Sequence, residues 1–297
     1  MQAYTPRVMG DLPFEAARRW GDREALVFGE QRWTHAEFAT EVTKVAKGLI
    51  GLGVEPGDKV GIWMTNRPEW LFLMYAVPAV GAVTVPLNTR YRAEDVQYTV
   101  DQSDTSTLIF NDRSGPIDYA AMVSEVSSKW AKVKRMIATG DDRPDGVAPW
   151  DDLLVAGSDV SDETFAARAA AVRADDPMII IYTSGTTSLP KGAVHSHAVV
   201  RNVMERTQMH GVTSNDVSGC EREGAASDPP GPPRSPVFIH GVRIVGKYSR
   251  HPRGSGMGTG ARHHDRAPSC RCGQMAMSRA TSTRGCPGSG GRPRRCR

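Results

Sequence analysis

The chain has 297 residues, a net charge of +4 and 39% hydrophobic residues, which is the composition of a mildly basic soluble protein. Its longest apolar run, residues 71–87, is shorter than the ~20 residues of a membrane-spanning helix and contains two prolines, which excludes a transmembrane segment. The first 21 residues lack the continuous apolar core of a signal peptide. We therefore expect a cytoplasmic protein, whose oligomeric state the sequence leaves open.

The composition changes sharply near residue 213. Residues 1–213 carry 22 Lys and Arg against 28 Asp and Glu, whereas residues 214–297 carry 15 against 5. The second part has no Leu or Trp, is rich in Gly and Pro, and holds all five Cys. Such a segment lacks the apolar side chains that offset the entropy of ordering a backbone. We therefore predict a folded domain over 1–213 and a basic, low-complexity, disordered tail over 214–297.

The first part begins with strand patterns and a helix. Residues 25–28 and 31–33 predict a hairpin around a Gly-Glu turn. Thr34 and Glu37 have the spacing of a capping box, and the helix that follows should end at Gly51 and Gly53.

Strands and helices then alternate with short connections. Helices are predicted from Pro68 to about Val80 and from Ala93 to Gln102. Strands are predicted over 59–64, 82–85, 107–110, 134–138 and 178–181. This alternation is typical of an α/β fold in which parallel sheets are flanked by helices.

The most informative stretch follows the strand at 178–181. Its backbone N–H groups and hydroxyls can donate to phosphate oxygens, and its lysine adds a positive charge. Gly185 and Gly192 are expected to take positive φ and to let the backbone approach an anion. Pro190 should keep the exit of the loop extended. The candidate phosphate-binding residues are Thr183, Ser184, Gly185, Thr186, Thr187, Ser188 and Lys191.

The composition of this loop allows two other interpretations. A Ser/Thr-rich surface turn is the alternative for a lone Gly-Thr-Thr, but the length of the matching stretch and the buried strand before it favour phosphate binding. A Walker-type loop is excluded, because Lys191 is six positions after Gly185 and is followed by Gly192 instead of Ser or Thr.

Residues Tyr182 to Gly192 resemble the phosphate-binding signature of the adenylate-forming (AMP-binding) superfamily. Ser188 stands where the family usually has Gly. Similarity to the acyl-CoA synthetase branch extends from about Leu12 to about Asp216, which corresponds to the N-terminal part of such an enzyme.

The resemblance implies an ATP-dependent acyl-CoA synthetase that forms an acyl-adenylate and then a thioester. Its co-substrates would be ATP, CoA and a fatty or aryl carboxylic acid, with Mg²⁺ seated by Thr186 or Thr187. The resemblance assigns no catalytic side chain within the matched region. The family's adenine, ribose and lid motifs are not recognisable after Asp216, so we expect a truncated and inactive enzyme. A non-catalytic nucleotide-binding fragment is the alternative.

The tail allows three interpretations. Arg clusters such as Arg292 to Arg295 could bind RNA, but nucleic acid is not favoured as a partner. A zinc site could use His263, His264, Cys270 and Cys272, although Cys-x-Cys is not the usual spacing. Out-of-frame translation of a GC-rich gene is favoured, because it yields this composition.

Several further residues have both a functional and a structural interpretation. His195 and His197 could act as bases, but a helix from His197 to about His210, capped by Ser196, is favoured. The acidic residues of segment 151–176 could bind a metal, but a solvated helix face with residues 166–171 as its spine is favoured. Three aromatic residues could line a pocket, but core packing is favoured; they are Trp63, Trp70 and Tyr75.

Overall fold

The computed structural model describes residues 6–183 and 189–211, and the backbone of three short strands between 238 and 246. The helices are α1 (Leu12–Trp20), α2 (His35–Gly51), α3 (Pro68–Ala79), α4 (Ala93–Gln102), α5 (Tyr119–Val126), α6 (Trp150–Ala156), α7 (Asp162–Ala171) and α8 (Val199–Met209). The strands are β1 (Glu24–Phe28), β2 (Gln31–Thr34), β3 (Lys59–Trp63), β4 (Val83–Pro86), β5 (Thr105–Asn111), β6 (Arg113–Ser114), β7 (Ile117–Asp118), β8 (Arg135–Thr139), β9 (Ala148–Pro149), β10 (Pro177–Thr183), β11 (Lys191–Ser196), β12 (Phe238–Ile239), β13 (Val242–Arg243) and β14 (Val245–Gly246).

A seven-stranded sheet organises the described residues. Its strand order is β11-β10-β4-β3-β5-β8-β9, and every neighbouring pair is parallel except β10 with β11. All seven residues of β5 are buried, as expected for a strand that is covered on both faces. The predicted α/β architecture with a mostly parallel sheet is therefore confirmed.

The core is divided between the two faces of this sheet, because alternate residues of each strand point to opposite sides. One cluster joins Ile62 and Ile109 to side chains of α2 and α3. The other joins Leu108 and Phe110 to side chains of α4 and α5. Trp63 and Tyr75 are fully buried in these clusters, which confirms the structural interpretation of both residues.

The N-terminal elements follow the sequence prediction closely. Strands β1 and β2 form an antiparallel hairpin. The Glu37 amide donates to Thr34 Oγ1 at 3.2 Å, and the Thr34 amide donates to Glu37 Oε2 at 2.8 Å, so the predicted capping box is present. These hydrogen bonds hold the pKa of Glu37 below its usual value. The backbone of β14 pairs in parallel with β1.

Helix α2 packs closely on α6 because two of its residues are glycines. A Cβ atom at Gly48 would lie 2.2 Å from the Leu153 carbonyl oxygen, and one at Gly51 would lie 1.8 Å from the Ala156 carbonyl oxygen. Any side chain at either position would collide with the backbone of α6. The close approach of the two helices therefore depends on both glycines.

The acidic segment before β10 forms α7, but its predicted alanine spine is wrong. Only Phe165 is buried in this helix, and its ring packs 6.0 Å from that of Phe14. Helix α7 therefore packs on the core mainly through the Phe165 ring, with Ala169 partly buried beside it. Within 6–183 and 189–211, no group of three or more His, Asp or Glu side chains could hold a metal ion.

None of the helices in the described part of the chain has both the length and the apolar character needed to span a bilayer.

Candidate functional site

The predicted phosphate loop joins the last two strands of the sheet. Strand β10 ends at Thr183 and β11 begins at Lys191, and these two residues are Cα partners in the antiparallel register. Such partners lie about 5 Å apart. The two strands therefore bring Thr183 and Lys191 together, and both residues are exposed. The other five predicted residues, Ser184, Gly185, Thr186, Thr187 and Ser188, lie outside the described residues.

The position of this loop in the sheet suits ligand binding. Because β10 runs parallel to β3, β4, β5 and β8, Thr183 lies at the edge where all of these strands have their carboxyl ends. Ligands of open α/β sheets bind beyond this edge. Thr183 and Lys191 therefore lie where the fold class places a ligand.

Polar side chains continue along the same edge. Asn111 Nδ2 donates to Thr65 Oγ1 at 3.0 Å, and Thr139 Oγ1 donates to Asn111 Oδ1 at 3.3 Å. Trp63 Nε1 donates to the Asn88 carbonyl at 3.0 Å. These bonds connect the carboxyl ends of four neighbouring strands, β4, β3, β5 and β8.

Gly192 corrects one part of the sequence prediction. It lies within β11 and does not adopt positive φ. A Cβ atom at this position would lie 2.8 Å from Ile180 Cγ2 and 3.2 Å from Tyr182 Cζ. Glycine therefore makes room here for two side chains of the neighbouring strand, first the Ile180 methyl group and then the Tyr182 ring.

Two side chains of α4 hold the ends of the strands next to the loop. Tyr98 Oη donates to the Pro190 carbonyl at 3.1 Å, and the Tyr182 hydroxyl donates to Gln102 Oε1. Burial raises the pKa of the Tyr182 hydroxyl, which stays a neutral donor. We call these two bonds the stem contacts. Sequence reasoning missed them because the bonded residues are 92 and 80 positions apart.

Lys191 supplies the positive charge of the site. Among the described residues it has neither a salt bridge nor a hydrogen bond to its side chain, and it extends from the first position of β11 into solvent. An ammonium group in this position can bind an anion without first breaking an ion pair to one of those residues.

His197 is a structural residue, and the predicted helix start is wrong. Ser196 is the last residue of β11, and α8 begins only at Val199. His197 is fully buried, and its Nδ1 accepts a hydrogen bond from the Met9 amide at 2.9 Å. The imidazole therefore connects Met9, near the N-terminus, to the position that directly follows β11. This arrangement leaves Nδ1 unable to act as a base.

The same contact makes stability depend on pH. Burial lowers the pKa of His197, an effect that exceeds the opposing influence of Asp176. The unfolded chain therefore binds this proton more readily than the folded chain. We expect the free energy of unfolding to be unaffected by His197 above pH ~6.5 and to fall below it, by up to about 1.4 kcal/mol per pH unit.

The measurement is urea unfolding between pH 4.5 and 7.5. His197→Gln, which keeps an acceptor but does not titrate, should flatten the profile below pH ~6.5. An identical slope in the wild-type chain and in His197→Gln would contradict this prediction.

The candidate binding residues of the tail lie outside the described residues. They are the zinc-site residues His263, His264, Cys270 and Cys272 and the Arg clusters. Their interpretation remains a prediction.

Comparison with known proteins gives a consistent result. The family model described as "AMP-binding enzyme" matches residues 13–221. YngI of Bacillus subtilis (strain 168) is 32% identical over 224 residues, which cover 70% of this chain and 41% of that protein. The long-chain-fatty-acid–CoA ligase FadD15 of Mycobacterium tuberculosis (strain ATCC 25618 / H37Rv) is 39% identical over 159 residues, which cover 54% of this chain and 25% of that protein.

A solved structure supports the same fold. The long-chain-fatty-acid–CoA ligase FadD1 from Archaeoglobus fulgidus matches with a TM-score of 0.62 at 22% identity, covering 73% of this chain and 42% of that chain. The chain thus spans less than half the length of these three proteins.

Proposed function

Since the chain belongs to the AMP-binding enzyme family, we propose that its loop between β10 and β11 binds the phosphates of ATP. The observation that carries this proposal is the pairing of Thr183 with Lys191 at the carboxyl edge of the sheet. A hydroxyl and an ammonium group at this edge are the donors that a polyphosphate requires. The same role is proposed for Ser184, Gly185, Thr186, Thr187 and Ser188, with Thr186 or Thr187 contributing to a Mg²⁺ site.

The proposed reaction class is that of an acid–thiol ligase. A carboxylate attacks the α-phosphorus of ATP, pyrophosphate leaves, and the acyl group then passes from AMP to the thiol of CoA. Negative charge accumulates on phosphate oxygens during the first step, so fixed cationic and hydrogen-bonding groups accelerate it. In this chain, Lys191 and Thr183 would orient the phosphates and stabilise that charge.

The substrate class is proposed from the relatives. FadD15 is described as acting on long-chain fatty acids, and a fatty acid is therefore the first candidate for this chain. Aryl acids remain the second. A cytoplasmic location is proposed as well, because ATP and CoA are water-soluble.

We further propose that this 297-residue chain binds nucleotide without efficient turnover. Its similarity to YngI covers 41% of that protein, and no motif for adenine, ribose or the lid is recognisable after Asp216. A nucleotide held mainly through its phosphates would bind weakly and would not be aligned with a carboxylate. Binding of ATP and transfer of its adenylyl group to a carboxylate are therefore separable in this chain.

Two measurements on the full chain test the proposal. Calorimetric titration with ATP and Mg²⁺ should give heat that depends on Lys191. ATP–pyrophosphate exchange with a panel of fatty and aryl acids should stay near background. Absence of heat would contradict nucleotide binding, and robust exchange that depends on Lys191 would contradict the inactivity.

A further inference from the structure

The stem contacts give helix α4 a role at the site, and this inference rests on the proposed function. Pro190 immediately precedes Lys191, and Tyr182 immediately precedes Thr183. Each stem contact therefore holds the residue adjacent to a proposed phosphate ligand.

The two contacts come from one face of one helix. Tyr98 and Gln102 are four residues apart on α4, so their side chains are neighbours one turn apart. Because Thr183 and Lys191 are already paired in the β10–β11 register, two bonds from the same helix fix where this pair of strand ends lies relative to α4. We propose that Tyr98 and Gln102 are positioning residues that orient Thr183 and Lys191 toward the nucleotide phosphates.

Helix α4 does not need these bonds to hold its own place. Its buried face consists of Ala93, Val96, Thr99 and Val100, which pack within the sheet's second core cluster or hydrogen-bond within the helix. Tyr98 is only half-buried and Gln102 is exposed. Removal of either polar group should therefore leave the fold intact.

In the described residues, the strands have few other backbone hydrogen-bonded connections to the sheet near the loop. Strand β10 has one registered Cα pair with β4, Ile179 with Thr84, although Ile180 and Tyr182 also pack against the core cluster that contains side chains of α4 and α5. Ile179 lies four residues before Thr183. Between Ile179 and the loop, the stem contacts are hydrogen bonds that connect β10 and β11 to helix α4. They therefore determine where the ends of these two strands next to the loop lie.

The first test is Tyr98→Phe in the full chain, which removes only the hydroxyl. We expect the Kd for Mg·ATP to rise about fivefold, the effect of one net hydrogen bond. The matched control is Tyr119→Phe, because the Tyr119 hydroxyl also donates to a backbone carbonyl, but that of Thr89, at 3.2 Å, instead of one next to Lys191. The control should leave this Kd unchanged, even where it lowers the melting temperature.

The second test uses Gln102. Gln102→Leu removes the acceptor and should raise the Kd for Mg·ATP by a similar factor, whereas Gln102→Glu keeps an acceptor oxygen and should restore binding. A structural role alone would change the melting temperature in all variants and would not give rescue. Unchanged Kd values in Tyr98→Phe and Gln102→Leu, with binding by the wild-type chain, would overturn this inference alone.

Hydrogen exchange separates this inference from the proposed function. In the nucleotide-free chain, exchange of the amides in 180–183 and 191–194 should accelerate in Tyr98→Phe and not in Tyr119→Phe. Equal exchange in the two variants overturns the positioning role. No heat with wild-type chain and Mg·ATP overturns the proposed function, while this exchange comparison still decides whether α4 fixes the strand ends.

Discussion

Replacing Lys191 by Ala is expected to raise the Kd for Mg·ATP by about 10- to 100-fold. The reason is the loss of a charge-assisted hydrogen bond to phosphate, worth about 1.5–3 kcal/mol. The side chain is exposed at the first position of β11, so its truncation should leave the free energy of unfolding within about 0.5 kcal/mol of the wild-type value. Calorimetric titration and urea unfolding measure the two quantities.

Two variants make this prediction specific. Lys191→Arg keeps the positive charge but replaces the compact ammonium group by a planar guanidinium group, so it should retain part of the affinity for Mg·ATP. Lys134→Ala removes an exposed lysine that immediately precedes β8, at the opposite edge of the sheet. It should bind Mg·ATP as the wild type does. Equal loss of affinity in Lys134→Ala and Lys191→Ala would show that only the overall charge matters.

The substitution Gly51→Ala is expected to destabilise the fold by about 3 kcal/mol. The new methyl group would lie 1.8 Å from the Ala156 carbonyl oxygen and 2.5 Å from its carbon. Because both atoms belong to backbone, no side chain can rotate away, and α2 and α6 must separate. Overpacking of this kind costs about 1–3 kcal/mol, and more where backbone must move. Urea unfolding followed by circular dichroism gives the measurement.

A graded control comes from another glycine. Gly57 has a φ of +84° but has no atom within 4 Å of an added Cβ. Gly57→Ala therefore tests backbone strain without a collision and should cost about 1–2 kcal/mol. If Gly51→Ala cost no more than Gly57→Ala, the close packing of α2 on α6 would be contradicted.

Much of the architecture could be predicted because local signals and tertiary packing agree. Helix α4 has the predicted bounds, Ala93–Gln102, since its apolar spacing and its position between two strand patterns leave little choice. The capping box of α2 forms as predicted because both bonds lie within four residues. Such elements are determined by neighbours in the sequence, which is why sequence patterns suffice for them.

The errors lie where distant residues decide. Ser196 and His197 have a cap-like pattern, but Ser196 ends β11, and His197, in contact with Met9 188 positions away, lies between the strand and α8. Gly192 is likewise explained by the Ile180 and Tyr182 side chains across the hairpin. Of the proposed site, the sequence could predict Thr183 and Lys191 by residue type. It could not predict Tyr98 and Gln102, since nothing in a local pattern relates α4 to the loop.

The single registered pair between β10 and β4 has a consequence for dynamics. Because the β10–β11 pair has only this registered pair with the inner strands, its backbone ladder should open as one cooperative unit, at a lower free energy than global unfolding. Such partial opening would loosen the proposed nucleotide-binding segment while the other parallel strands stay folded. Bound ATP would oppose it in proportion to ligand concentration, so occupancy would be measurable as slower exchange of this unit.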